Sequence, residues 1–381
     1  MTNKTFLILG GYGNTGMCCA KLLLQHTDVH LILAGRSKEK AESAASELNN
    51  CFSDTRTKGI LLDAANIESL NQSFKEVDFV LVAFNTAKYV KEVATATMTA
   101  GIDYLDIQYS QKKADVLKSM AEAIEKSGCC FITDGGFYPG LPAALIRYAG
   151  NHFDRLDKAN VGSIIKNDWE ESSVSQSIIL EWIEAFKNFK VMAFNDGQWR
   201  GVKFSNRQYL KMNFGYEFGE QTCVPIFLEE LRSIPEILPS IKEFGFFVGG
   251  FNRIVNTIIL PLIMQSPQKW EKQMRSFLLW GLKTFASPPY GTLLKLEARG
   301  EKDGKINDLE LNLYHKDGYM FTAMPVVACL LQYLDGSIKN PGLNTMANLV
   351  DPARLINDME KWGLKCWRND LFLLSQSHIC A

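Results

Sequence analysis

Three glycines at G-x-G-x-x-G spacing, Gly11, Gly13 and Gly16, follow directly on the apolar run Thr5–Leu9. That run is rich in strand formers and reads as a buried strand. A helical pattern then places Met17, Ala20, Leu23 and Leu24 on one face. Few folds accept this order. Gly11 is assigned to the tight turn, Gly13 to the close approach of a diphosphate, and Gly16 to close packing of helix on strand. The helix start, with Asn14 and Thr15, offers free N–H groups and the positive end of the helix dipole to phosphate. A glycine-rich turn without a ligand is the alternative. The strand before and the helix after favour the phosphate site.

The alternation continues. Asp28–Gly35 reads as a second strand, Ser37 to about Asn49 as a helix, Lys58–Leu62 as a third strand and Asp78–Phe84 as a fourth. Asp103–Gln108 and Cys129–Thr133 complete a set of six, with helices ending at Gly101 and Gly128. Short strand–helix connections predict a doubly wound parallel α/β sheet with right-handed crossovers. In such a sheet ligands lie beyond the carboxyl ends of the strands. The second strand ends in Arg36, Ser37 and Lys38, with no acid before Glu39. An acid there would hold the ribose hydroxyls of NAD, whereas an arginine accommodates the 2′-phosphate of NADP. NADP(H) is therefore the expected cofactor and NAD(H) the lesser alternative. Asp63 and Ala64 close the third strand, where Asp63 either reaches the adenine edge or caps the helix starting near Ile67. Phe84 and Asn85 close the fourth and are expected to face the cofactor.

The cluster Gly135-Gly136-Phe137-Tyr138-Pro139-Gly140 ends the alternation and marks a hinge. The parallel α/β domain is therefore expected over 1–132, with a second region of mixed pattern beginning at 133. Ala159–Ile165 and Gly201–Phe204 read as strands and Ser173–Lys187 as an amphipathic helix. Leu293–Gly300 and Lys305–Tyr314 form a hairpin around Asp303-Gly304. Alternation of Leu309, Leu311 and Leu313 marks a sheet with one covered face. Ala323–Tyr333 reads as a helix with Pro325 in its first turn, and Asp351-Pro352 opens another.

Residues 224–270 form an apolar insertion. Part of it is about the length of a membrane span, roughly 20 residues. Asn252, Arg253, Asn256 and Pro261 interrupt that part, and a central arginine costs about 2.5 kcal/mol on insertion. Helical packing at a dimer or domain interface is the expectation, with an apolar lip or a membrane-surface or lipid contact through 244–264 as alternatives.

The bulk numbers exclude other classes. With 381 residues the chain has room for two domains or more. Lys and Arg number 41 against 42 Asp and Glu, which gives no electrostatic case for nucleic acid. The nine cysteines form no C-x-x-C pair, so neither a disulfide framework nor a zinc site is expected, and no metal. The first strand begins within a few residues of Met1, which leaves no room for a signal peptide. The expected location is cytoplasmic.

The sequence resembles the saccharopine dehydrogenase-like oxidoreductases. The resemblance rests on Gly10–Gly16, on Ala34-Gly35-Arg36, on Gly101–Asp106 and on Gly136 with Pro139-Gly140. It extends to Asp317-Gly318-Tyr319, to Thr322–Val326 and to Leu334-Asp335-Gly336. It implies a Rossmann domain over 1–132, an α+β substrate and dimerisation domain with a mixed or antiparallel sheet over 133–319, and a C-terminal segment over 320–381 whose helix returns to the first domain. It also implies NAD(P)-dependent chemistry on amine–carbonyl adducts.

No nucleophile elbow or Ser/His/Asp order stands out. Hydride transfer asks less of the protein, because the cofactor carries the hard step. A protonated imine is already activated, while a ketone or enone needs a proton donor. Tyr138, Tyr104 and Asp134 lie nearest the expected cleft, and Tyr138 is the candidate catalytic residue, against the alternative of a packing tyrosine in the hinge. His315 sits beside a strand end and reads as structural. The expected function is an NADP(H)-dependent oxidoreductase acting on a small imine, carbonyl or enone, amino-acid-derived or lipid-like, in a homodimer. The alternative is a non-catalytic dinucleotide-binding scaffold with an apolar docking surface.

Overall fold

The computed structural model describes residues 4–53, 55–84, 87–166, 168, 179, 183, 190–201, 210–250 and 254–370. The chain divides into two compact units: Met1–Ala144 with Tyr319–Trp362, and Leu145–Gly318 with Gly363–Ala381. The first unit thus runs past the expected limit at residue 132, and the change falls within the helix Leu141–Gly150.

The first unit is built on a parallel sheet of seven strands. They are β1 (Thr5–Leu9), β2 (His30–Gly35), β3 (Thr57–Leu61), β4 (Phe79–Val82), β5 (Asp103–Asp106), β6 (Cys130–Thr133) and β15 (Gly342–Thr345). Their order is β15-β6-β5-β4-β1-β2-β3, and every pairing is parallel. The chain leaves β1 in one direction and returns at β4 to build in the other. The switch point therefore lies between β1 and β4, where ligands bind in such sheets. The helices between strands are α1 (Asn14–His26), α2 (Lys38–Phe52), α3 (Ile67–Phe74), α4 (Val90–Ala100), α5 (Gln111–Ser119) and α6 (Ala121–Ser127). The one helix expected to end at Gly128 is two, parted at Met120.

The strands are apolar on both sides because helices cover both faces of the sheet. Phe6 stacks on Phe79 at 4.8 Å between ring centroids, and Phe79 meets Tyr333 at the same distance. Tyr333 belongs to the helix Gly318–Leu334, which starts five residues earlier than the sequence suggests. Pro325 is consequently inside that helix rather than in its first turn. A proline there removes a helix hydrogen bond, and the burial of Phe321, Met324, Val326, Val327 and Leu330 offsets the loss. The return segment also supplies β15, a strand that Gly-Leu-Asn-Thr does not announce. Asp351 caps the helix Pro352–Lys361, accepting from Ala353 and Arg354 N–H, as expected.

The second unit holds a mixed sheet. Its strands are β7 (Arg155–Lys166), β8 (Met192–Asn195), β9 (Gln198–Gly201), β10 (Leu210–Asn213), β11 (Glu220–Ile226), β12 (Glu243–Gly249), β13 (Gly291–Lys302), β14 (Lys305–His315) and β16 (Lys365–Asp370). The main order is β10-β11-β12-β7-β13-β14-β16, with β8 pairing β12 and β9; only β12 and β7 run parallel. The β13–β14 hairpin turns at Asp303-Gly304 as predicted, with φ of +51° and +71°. Two positive φ values make a type I′ turn, which matches strand twist. Leu309, Leu311 and Leu313 are buried on one face of β14. Replacing Gly304 by valine should cost about 1–2 kcal/mol in urea unfolding, from the left-handed conformation alone. No loss would mean that the turn has another form in solution.

Two expectations for this half need correction. The apolar run after Phe244 is not helical throughout, because Glu243–Gly249 is β12, a central strand. Phe244, Phe246 and Phe247 are buried, so both faces of the strand are covered. A short continuous apolar run carries no period that separates such a strand from a helix. The last strand, β16, belongs to the second unit and pairs with β14, so the return segment reaches only Trp362 within the first. Of the helix expected over Ser173–Lys187, only Ile179 and Ile183 are described, both helical and buried. Residues 202–204 of the strand expected at Gly201–Phe204 lie outside the described residues. No helix among the described residues is long and apolar enough to cross a membrane.

Candidate cofactor site

The site begins where β1 ends. Gly10 has φ +81°, a value that a side chain disfavours, and its N–H donates to Ala34 O at 2.8 Å. The tight turn thus sits at Gly10, one residue before the position assigned from the sequence. Gly11 N–H donates to Ile8 O and Gly13 N–H to Gly10 O. A Cβ on Gly16 would lie 2.3 Å from Gly10 O, so helix and turn touch through backbone alone. A Cβ on Gly13 would meet only Gly10 O, at 3.2 Å. Gly13 is exposed, and no fold contact demands a glycine there as one does at Gly16.

Helix α1 opens at Gly13 without a side-chain cap and without an acid in its first turn. The N–H groups of Asn14, Thr15 and Gly16 have no hydrogen-bond partner among the described residues. The other helix starts in this sheet include side-chain caps: Ser37 on α2, Asn66 on α3 and Ser110 on α5. An uncapped start with unsatisfied donors is suited to an anion.

At the tip of β2, Arg36 is exposed and makes no ion pair or hydrogen bond among the described residues. Lys38 is engaged with Glu42 at 3.7 Å. Tyr12 lies over Gly35, where a Cβ would sit 2.5 Å from the ring, and its hydroxyl accepts from Ser37 N–H at 3.1 Å. The phenol therefore fastens the glycine turn to the tip that carries Arg36. Ser37 Oγ caps α2, accepting from Lys40 N–H at 3.3 Å.

Asp63 is exposed and closes a local turn, accepting from Ala65 N–H at 3.0 Å. It does not cap the following helix. Asn66 does, accepting from Ser69 N–H at 3.0 Å. Ala64 is buried beside it. Phe84 is half-buried next to the glycine turn, 3.0 Å from where a Cβ on Gly10 would stand. Asn85 lies outside the described residues. The carboxyl ends of β1, β2 and β4 thus bring together Gly11, Gly13, Asn14, Thr15, Gly16, Arg36, Ser37 and Phe84. Tyr138 follows β6, three strands from β1 in the sheet order. It is half-buried against Phe137, with ring centroids 5.0 Å apart, and burial pushes its hydroxyl pKa up. In the second unit, His315 Nδ1 lies 2.8 Å from Asp317 O, in a local turn.

Tyr104 and Asp134, named above as possible donors, are tied up instead in a buried charged cluster at the ends of β5 and β6, whose lysine the sequence reading missed. Lys113 is fully buried and donates to Asp106 Oδ1 at 2.5 Å, Asp134 Oδ1 at 2.7 Å and Gln108 O at 2.6 Å. The other Asp106 oxygen accepts from Tyr104 and Thr133 hydroxyls, both at 2.9 Å. Burial alone would lower the Lys113 pKa, but Asp106 and Asp134 outweigh it and hold the ammonium above its ordinary 10.5. Burial and then Asp106 push the Tyr104 phenol up. Asp134 has φ +60°, a left-handed backbone rare outside glycine. The one signal in the sequence is that Lys113 shares the buried face of α5 with Ala114 and Leu117.

Residues 6–128 match the family model described as the saccharopine dehydrogenase NADP binding domain. The first unit carries an NADP-binding domain of the saccharopine dehydrogenase type. Curated protein sequences give no match to the chain. Among solved structures, the saccharopine dehydrogenase (L-Glu forming) of Saccharomyces cerevisiae aligns over 96% of this chain and 100% of its own, with a TM-score of 0.69 at 14% identity. The DAP dehydrogenase of C. glutamicum in complex with DAP aligns over 95% and 100%, with a TM-score of 0.50 at 14% identity. At these identities the likeness is one of fold: a saccharopine dehydrogenase-like Rossmann domain and a second mixed-sheet domain. The NADP-binding assignment agrees with the donors in place. The free N–H groups of α1 fit a diphosphate, and the unpaired Arg36 fits a ribose phosphate.

Proposed function

We propose that this chain is an NADP(H)-dependent oxidoreductase of the saccharopine dehydrogenase-like type. Its substrate is an imine, carbonyl or enone, amino-acid-derived or lipid-like. The observation that carries the reading is the uncapped, acid-free start of α1, whose first three N–H groups have no partner among the described residues, with Arg36, also without one among them, at the tip of the neighbouring strand β2. Backbone amides of Asn14, Thr15 and Gly16 hold the diphosphate, and Gly13 leaves it room. Arg36 pairs with the 2′-phosphate as a planar, permanently charged fork. Phe84 walls the site beside the glycine turn. The nicotinamide, when bound, supplies or takes up the hydride.

On the protein side, a protonated imine needs little acid from its surroundings, whereas a carbonyl or enone gains from a proton donor. Tyr138 is the group this reading assigns to that role. A phenol is protonated at neutral pH, the form that donates, and burial raises the Tyr138 pKa further, which holds that proton more tightly until a developing negative charge draws it off. The test is NADPH consumption with two panels: 2-oxo acids paired with amino acids, and enones. Turnover with at least one substrate is expected. Tyr138→Phe should slow carbonyl or enone reduction by about 10²–10⁴-fold, the usual worth of a general acid, and leave imine reduction largely intact. Tight NADPH binding with no turnover in either panel would replace the reading with that of a non-catalytic nucleotide-binding scaffold.

A further inference from the structure

The helical segment after β12 is apolar on two sides, and the core of the second unit uses only one. Val255, Ile259 and Ile263 recur every four residues and are buried. They pack with Leu278 and Leu282 of the helix Glu271–Phe285 and with Ile179 and Ile183. The two helices approach closely at Gly281, where a Cβ would stand 2.2 Å from Ile259 Cδ1. The adjacent stripe, Ile254, Ile258 and Leu262, has the same spacing and faces outward, with Ile258 51% and Leu262 52% exposed. Trp270 and Trp280 are each 51% exposed. Trp280 stacks on Phe277 at 5.8 Å and meets Phe285 edge-on at 5.4 Å. Five of the ten exposed large hydrophobics among the described residues fall within residues 254–280. A helix apolar on both faces is built to be covered twice.

The charges around this face say by what. Between Ile254 and Phe285 stand Lys269, Lys272, Arg275 and Lys283 against the single acid Glu271, in a chain whose net charge is −1. Lys269, Lys272 and Lys283 are exposed and make no ion pair among the described residues. A second copy docked face to face would bring like-charged rims together. An anionic surface would not. Tryptophan flanking an aliphatic stripe, with lysine at its edge, is the chemistry of a helix lying in a lipid headgroup layer. The segment is too short to cross.

We propose that this face seats on an anionic lipid surface, with Ile258, Leu262, Trp270 and Trp280 entering the headgroup boundary and Lys269, Lys272 and Lys283 over the lipid phosphates. The strand at 243–249 is internal to the sheet, so the contact is confined to residues 254–285 rather than to 244–264.

The test is sedimentation of the full chain with vesicles of phosphatidylcholine alone and of phosphatidylcholine mixed equally with phosphatidylglycerol. At least tenfold stronger partitioning to the mixed vesicles is expected, falling as salt is raised. Ile258→Glu with Leu262→Glu should abolish it while NADPH affinity and the thermal melt stay unchanged. Should that pair destabilise the second unit, the triple reversal of Lys269, Lys272 and Lys283 to Glu, all at exposed sites, should abolish it instead. No binding to either vesicle overturns the proposal, as does binding that survives both sets of changes. A dimer in light scattering that the Ile258/Leu262 pair converts to monomer, with no vesicle binding, assigns the face to a second copy and also overturns it.

Discussion

Lys113→Met should destabilise the first unit by about 3–5 kcal/mol, because it leaves Asp106 and Asp134 buried without their shared cation. Chemical unfolding followed by near-ultraviolet circular dichroism reads the change. The same substitution removes the donor to Gln108 O, so the segment after β5 loses a fixed point as well. The pH dependence has a definite sign. In the folded chain the ammonium is held above 10.5. Its contribution is therefore complete below the unfolded pKa and is lost only as pH rises through the higher folded value. Wild-type stability should show no loss from Lys113 between pH 6 and 9. A deficit below about 1 kcal/mol, in the range of exposed pairs, would show that water reaches this cluster.

Gly13→Ala and Gly16→Ala should part company. The methyl at Gly16 collides with Gly10 O, a backbone atom fixed by its own bond from Gly13 N–H and by the pairing of Gly10 N–H with Ala34 O. Turn and helix start must separate, which displaces the three amides. Gly16→Ala is expected to lose NADPH affinity at least tenfold, and stability with it, because the clash is with backbone that cannot yield as a side chain would. At Gly13 the backbone has φ −79°, open to any residue, and the methyl meets only Gly10 O at 3.2 Å. Gly13→Ala should therefore keep its thermal melt and, if the site is as proposed, weaken NADPH at least tenfold, because the methyl would stand in the path assigned to the diphosphate. Equal NADPH affinity in wild type and Gly13→Ala would place the nucleotide elsewhere.

What the sequence disclosed and what it hid follow one physical division. The glycine turn, the Asp303-Gly304 hairpin and the Asp351 cap are local: each is dictated by residues within a few positions of one another. The strand β2 and the tip that carries Arg36 were readable because they are contiguous. The buried strand β12 was not, since Phe244–Val248 is apolar at every position and a strand covered on both faces has no period to betray it. β15 was hidden for the opposite reason, because Gly342–Thr345 is too short and polar to show as a strand and is completed by Cys130–Thr133, some two hundred residues earlier. The Lys113 cluster joins residues 106, 113 and 134, and a lysine in a helix reads as solvated until its partners are in place. The same blindness applied to Tyr12, whose hydroxyl meets Ser37 across 25 positions.

The central claim is that the amides of Asn14, Thr15 and Gly16 hold a diphosphate while Arg36 selects a phosphorylated ribose. Fluorescence titration of NADPH and NADH into wild type and Arg36→Ala tests it most directly. Loss of a charge-assisted bidentate contact is worth about 1.5–3 kcal/mol, so Arg36→Ala should weaken NADPH roughly 10- to 150-fold and leave NADH within about twofold. Equal loss for both nucleotides, or wild-type protein that binds neither, would contradict the account.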